Sequence, residues 1–146
     1  MIAVGSDHRG VDVKRAVIET LVRQQVDVQD LGTHDSQAVD YPDYAGFVAR
    51  AVAAGTAERG VLVCGTGIGM SIAANKVSGV RAALVHDIET ARLSRLHNDA
   101  NVLVLAANRI TPEMVPVIVD AWLHTEFEGG RHVQRLAKIR DLEDRH

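Results

Sequence analysis

The sequence predicts an α/β fold: a single doubly wound, Rossmann-like domain with a five-stranded parallel sheet and helices on both faces. Three observations carry this prediction. The chain of 146 residues is 47% hydrophobic and 24% charged, which suits one domain (1–146) with a real core and excludes a disordered chain. Aromatic residues contribute only 3%, so Val, Ala, Leu and Ile must fill that core, as buried parallel strands require. Short apolar runs alternate with stretches of helical periodicity, and each helix then supplies the crossover between parallel neighbours.

Taken in order, Ile2-Ala3-Val4-Gly5 reads as the first strand. Val13, Val17, Ile18, Leu21 and Val22 follow at helical spacing. Val26-Asp27-Val28 is expected to be a second, more exposed strand ended by Gly32. Tyr44, Phe47, Val48, Ala51 and Val52 form the next helical stripe, stopped at Gly55. Val61-Leu62-Val63-Cys64 is the third strand and runs into Gly65-Thr66-Gly67-Ile68-Gly69. A short helix over about Met70 to Lys76 should come next. Ala82-Ala83-Leu84-Val85 is the fourth strand, after which Asp87 caps a helix reaching about Leu96. Val102-Leu103-Val104-Leu105 is the fifth. Thr111-Pro112-Glu113 starts a helix with a cap residue and a proline at the first helical position. Beyond Gly129-Gly130, a terminal helix runs from Arg131 to Glu143.

Composition excludes several classes of function. Sixteen Lys and Arg against nineteen Asp and Glu give a net charge of −3, so there is no general electrostatic case for nucleic acid. Cys64 is the only cysteine, which forbids an internal disulfide framework and a multi-cysteine metal site. The histidines form no H-x-x-x-H or H-E-x-x-H pattern, and no metal is expected. No apolar run approaches the ~20 residues that span a bilayer. Met1-Ile2-Ala3-Val4-Gly5-Ser6-Asp7 is not a basic leader before an apolar stretch, so a cytoplasmic protein without membrane contact is expected.

In doubly wound sheets, ligands bind beyond the carboxyl ends of the strands. Cys64-Gly65-Thr66-Gly67-Ile68-Gly69 joins such an end to a helix, and its glycines let backbone N–H groups converge on an anion. It reads either as an oxyanion or phosphate cradle beside a reactive thiol, or as a tight turn with a buried, inert cysteine. Asp87 lies where a Rossmann protein carries its ribose-binding acid, yet the third glycine of that fingerprint falls on Met70, which argues against a dinucleotide. Asp7-His8, after the first strand, faces the same crevice and could bind sugar hydroxyls or phosphate, or simply cap the next helix. His97-Asn98 sits at a helix end, as a general acid–base or as a structural cap. Arg131 and Arg135, four apart on one helical face, suit a phosphate monoester or a solvated basic face. Arg109, after the fifth strand, is a further basic candidate.

Together these segments resemble the ribose-5-phosphate isomerase B family, a group that also contains galactose-6-phosphate and allose-6-phosphate isomerases. The resemblance rests on Gly5-Ser6-Asp7-His8, Asp40-Tyr41-Pro42, the run from Cys64 to Lys76, Ser94-Arg95-Leu96-His97-Asn98-Asp99, and Glu128-Gly129-Gly130-Arg131-His132-Val133-Gln134-Arg135. It implies an aldose–ketose isomerisation of a phosphorylated sugar, with ribose 5-phosphate the first expectation, and no cofactor. Carried over by position, Cys64 resembles the base that moves a proton between two carbons, and His97 the acid–base that opens the furanose ring. Gly65, Thr66, Gly67, Ile68 and Gly69 resemble the oxyanion cradle, with Thr66 beside the thiol. Asp7, His8 and Asn98 resemble the sugar-binding set, Arg131 and Arg135 the phosphate clamp, and Tyr41 and Arg109 accessory contacts. One branch of the family replaces the cysteine and carries a glutamate in the glycine loop. That position here is Met70, so the chain falls with the cysteine-based members. The resemblance further implies a homodimer or homotetramer with shared active sites, the terminal helix (131–143) reaching a partner subunit. A hexose-phosphate isomerase and a non-catalytic sugar-phosphate-sensing module are the alternatives; a sensor would tolerate Ala or Ser at Cys64.

Overall fold

A computed structural model describes residues 1–143. Five strands, β1 (Ile2–Ser6), β2 (Val28–Asp30), β3 (Arg59–Cys64), β4 (Ala82–Leu84) and β5 (Val102–Ala106), form one sheet in the order β2-β1-β3-β5-β4. Every pairing is parallel. Six helices accompany them: α1 (Val11–Arg23), α2 (Tyr41–Ala53), α3 (Ile68–Ala74), α4 (Ile88–Asn98), α5 (Val115–His124) and α6 (Arg131–Glu143). None of the described helices is long and apolar enough to cross a membrane.

Both faces of the sheet are covered, as the all-apolar central strands demand. Because side chains alternate along a strand, Val61 and Val63 of β3 pack with α1, α5 and Ala91 of α4, centred on Trp122. Leu62 and Cys64 point the other way, into the layer made by α2 and α3 with Met70 and Val48. The cysteine is therefore the last core residue of its strand. The terminal helix α6 lies outside both layers; His132 is its only buried residue.

Most strand ends and the end of α4 differ from the sequence reading by one or two residues, and three differences have local reasons. The second strand is Val28–Asp30, because Val26 N–H still donates to Leu21 O at 3.0 Å, closing α1 through Gln25 at φ 62°. Pairing starts only where Ile2 meets Val28. Helix α3 begins at Ile68 and ends at Ala74, earlier than expected. Asn75 has left the helix and holds β4, accepting from Ala82 N–H at 2.8 Å and donating to Ala82 O at 3.0 Å. Thr111 makes no side-chain cap; Pro112–Met114 form a 3₁₀ turn before α5. Asp87 does cap α4, accepting from the Thr90 hydroxyl and N–H at 2.7 Å, and these bonds hold its carboxyl below the usual range.

Central-strand packing should dominate stability. Leu103, fully buried on β5, is expected to cost about 2–5 kcal/mol on truncation to Ala. Urea unfolding of Leu103→Ala checks this; a loss below about 1 kcal/mol would contradict the packing described.

Candidate active site

The chain leaves β1 toward one edge of the sheet and later returns on the other side of it to make β3, so the crevice lies between the carboxyl ends of β1 and β3. Asp7 N–H donates to Val63 O at 3.2 Å, which sets the Asp7 loop directly beside the Cys64 loop. Asp7 is buried, and its Oδ1 accepts from Arg9 N–H at 3.0 Å. The capping role weighed from sequence is thus real, and it occupies only one carboxylate oxygen. His8 Nδ1 accepts from Val39 N–H at 3.2 Å. A neutral ring with Nδ1 as acceptor carries its proton on Nε2, so His8 offers a donor from that side.

The glycine loop is folded around the thiol. Gly67 takes φ 76°, and a Cβ there would stand 2.4 Å from Leu84 Cδ1, so only glycine fits. In this turn Gly67 N–H donates to Cys64 Sγ at 3.2 Å, and Ile68 N–H donates to Thr66 Oγ1 at 3.2 Å. Two of the cradle's N–H groups are therefore already engaged. The next two, Gly69 and Met70, stand in the first turn of α3, where a helix offers no internal acceptor. Cys64 itself is 5% exposed. The Tyr41 ring lies over Gly69, within 2.4 Å of where a Cβ would be. Across the loop, the stem of Arg9 and the amide of Asn108 flank Gly65, at 3.1 and 3.5 Å from the position a Cβ would take there. Asn108 N–H donates to Gly65 O at 2.9 Å, and Arg109 follows in the same turn.

Asp7, His8, Tyr41, Cys64 to Gly69 and Arg109 thus share the carboxyl edge. His97, Asn98, Arg131 and Arg135 do not. Arg81, just before β4, donates through Nε to Asn98 O at 3.1 Å, fixing the end of α4 at the amino edge. By the strand register, Arg81 is level with Arg59, and Arg59 to Cys64 spans five residues or ~16 Å. His97 is stacked on His132 with ring centroids 4.4 Å apart. Arg131 and Arg135 line a shallow cleft of about 270 Å³ with Gln134 and Lys138. Four neighbours of the expected residues were not anticipated as contributors: Arg9, Asn108, Glu128 and His132. Glu128 and His132 lie inside the Glu128-to-Arg135 segment, at the i, i+4 spacing that would have joined them. Arg9 and Asn108 carry no signal beyond adjacency to Asp7-His8 and Arg109.

The Ribose/Galactose Isomerase family model matches residues 2–139. The chain is 48% identical to Escherichia coli ribose-5-phosphate isomerase B over 99% of its length and 97% of that protein's. The chain belongs to this family. Its fold superposes on Clostridium thermocellum ribose-5-phosphate isomerase B with a TM-score of 0.97 at 47% identity, covering 99% and 97% of the two chains. The Mycoplasma genitalium enzyme, solved with bound ribulose-5-phosphate, gives 0.93 at 44% identity over 99% and 97%. The protein is a sugar-phosphate isomerase.

The His8 geometry makes a spectroscopic prediction. ¹⁵N NMR at neutral pH should find His8 in the Nε2–H tautomer, and Val39→Pro, which removes the donor, should shift the ring toward a tautomer mixture. An Nδ1–H ring in the unsubstituted protein would contradict the hydrogen bond.

Proposed function

We propose that this isomerase interconverts ribose 5-phosphate and ribulose 5-phosphate through a cis-enediolate, with Cys64 as base and a second copy's His97 as the ring-opening acid–base. The observation that carries the reading is the thiol: a buried cysteine sulfur that accepts a backbone N–H at the mouth of a glycine turn. A phosphate-binding turn alone has no use for sulfur there.

The steps balance without an outside redox partner. His97 takes the proton from the C1 hydroxyl of the furanose and returns one to the ring oxygen as the C1–O bond breaks. Cys64, as thiolate, removes the proton on C2, and the electron pair moves onto the C1 carbonyl to form the enediolate. Sγ then delivers that proton to C1 while O2 passes its own proton to O1, leaving the C2 ketone and a C1 hydroxyl. The N–H groups of Gly69 and Met70 face the developing oxyanion; one well-aimed donor is typically worth roughly 2.7–4 kcal/mol in the transition state. Asp7, His8 and the second copy's Asn98 bind hydroxyls, with Tyr41 closing over the loop. Arg131 and Arg135, with Arg109, hold the phosphate and so orient the carbons far from it.

A second copy is needed because one chain keeps its Cys64 and His97 at opposite edges of the sheet. Further support comes from a groove of about 680 Å³ at the amino edge, lined by Arg81, Ala82, Asn98, Ile139 and Leu142 among others. Ile68 and Ile72 of α3 are more than half exposed beside the glycine loop. A paired copy would cover such surfaces.

Cys64→Ala and His97→Ala should each lose turnover of ribose 5-phosphate while staying folded. Mixed, unfolded and refolded together, they should recover about a quarter of wild-type turnover, because half the dimers would carry one intact site of two. No recovery would contradict a shared site, and substantial turnover by Cys64→Ala alone would remove the base. Parallel assays with allose 6-phosphate and galactose 6-phosphate test the sugar; turnover confined to a hexose phosphate would overturn ribose 5-phosphate as substrate.

A further inference from the structure

Three side chains with metal-ligating atoms meet at the end of α4, in an arrangement the isomerisation does not call for. His97 Nε2 is 3.9 Å from Glu128 Oε2, and His132 Nε2 is 3.8 Å from the same oxygen. The three donor atoms all lie within 4.8 Å of one another. The backbone builds this grouping. Glu128 N–H donates to Leu96 O at 3.0 Å, which sets the glutamate beside His97. Gly129 and Gly130 then adopt φ 73° and 57°, left-handed values that glycine accepts freely. They turn the chain so that α6 starts beneath Glu128 and brings His132 back to it.

A separate observation points to a ligand. His132 is 4% exposed, and its Nε2 has no hydrogen-bond partner among the described residues. A buried polar atom of this kind is rare and calls for a counterpart. Burial above all, then His97 and Arg131, pushes the His132 pKa down from 6.5, against the pull of Glu128.

We propose that His97, Glu128 and His132 form a site for a divalent transition metal, with Zn²⁺ the best-matched ion, and that its occupation inhibits the isomerase. Two imidazoles and one carboxylate, with water as fourth ligand, are an established zinc set. Bonds of about 2.0–2.2 Å in a tetrahedron place ligand atoms ~3.3 Å apart, so the two contacts to Glu128 close by roughly half an ångström and the His97–His132 pair by about 1.5 Å at most. His97 and Glu128 side chains are 38% and 49% exposed and supply that movement. The His97 ring, now 19° from parallel with His132, tilts out of the stack to aim its lone pair at the ion. Arg131 and Arg135 next to the site oppose a cation, so binding is reversible rather than permanent. The ion takes His97 Nε2. Inhibition thus rests on the ring-opening role proposed above, whereas binding does not.

Calorimetric titration with Zn²⁺ alone tests the site in Cys64→Ala protein, which lacks the thiol that would compete for metal. One ion per chain is expected, weakened at least about tenfold by His132→Asn and by Glu128→Gln. His124→Asn, at the surface histidine beside Asp120, should change nothing. Should His132→Asn fail to fold, the exposed Glu128→Gln decides alone. In enzyme with Cys64 intact, saturating Zn²⁺ should abolish turnover, a chelator should restore it and Glu128→Gln should blunt the loss; a loss indifferent to Glu128→Gln belongs to the thiol and overturns the inhibition. No stoichiometric binding, or binding indifferent to Glu128→Gln, overturns the site. Binding as expected with turnover untouched overturns the inhibition, and with it the role given to His97.

Discussion

Because every strand of the sheet runs the same way, loops after the strands gather at one edge and helix ends at the other, and the chemistry of the chain is divided accordingly. The link that makes the carboxyl edge a site is short: Asp7 N–H to Val63 O joins the turn after β1 to the residue before Cys64. From there Ala107 N–H reaches Cys64 O, and Asn108 N–H reaches Gly65 O. The turns after β1 and β5 are thereby locked to the glycine loop after β3. The amino edge is built as firmly, by Arg81 and Arg95 holding the end of α4 through Asn98 O, Asp99 and Ala100 O. Neither edge can bend toward the other across a sheet whose central strands are fully buried, since packed interiors resist deformation. Under the mechanism proposed above, association of two chains is what would unite Cys64 at one edge with His97 and the two arginines at the other.

Within the glycine loop, the engagement of each N–H group is more informative than the number of glycines. A loop of this kind is usually read as a row of donors awaiting an anion. Here Gly67 serves the sulfur and Ile68 serves the Thr66 hydroxyl, while Gly69 and Met70 follow in the first turn of α3. Thr66 thus also shapes the loop. Its side chain stands in for a helix cap that Gly67, lacking a side chain, cannot supply. Gly69 has its own constraint, because the Tyr41 ring occupies the space a Cβ would need.

Much of this was legible in the sequence, and the reasons are specific. The strands of the sheet centre are uninterrupted apolar runs because both their faces are buried, which makes β1, β3 and β5 easy to locate. The edge strand β2 is partly exposed, so its apolar pattern is short, and the closing turn of α1 claimed Val26. Helix α3 begins on Ile68 because the turn is completed by side-chain acceptors inside the loop, a feature that periodicity does not encode. Residues at the carboxyl edge follow from their position after strands. Arg9 and Asn108 escaped because long-range turn-to-turn packing brought them to Gly65. The His97–Glu128–His132 grouping escaped because it needs the reversal at Gly129-Gly130 together with the contact from Glu128 back to Leu96 on α4, and neither is a local pattern.

Helix α6 would connect the proposed phosphate clamp to the proposed association of two chains. It buries little beyond His132, and it is tied to the domain through Glu143, which accepts from Gly79 N–H at 3.2 Å, and through the Glu128 anchor before its first turn. Val133 and Leu142 remain more than half exposed. A helix that covers so little of its own domain gains most of its stability from whatever packs on its open side. Arg131 and Arg135 ride on this helix, so an associating copy would order the phosphate clamp as it buries the apolar positions. Binding of the sugar phosphate and binding of the second chain would then draw on the same surface, and each would strengthen the other by linkage.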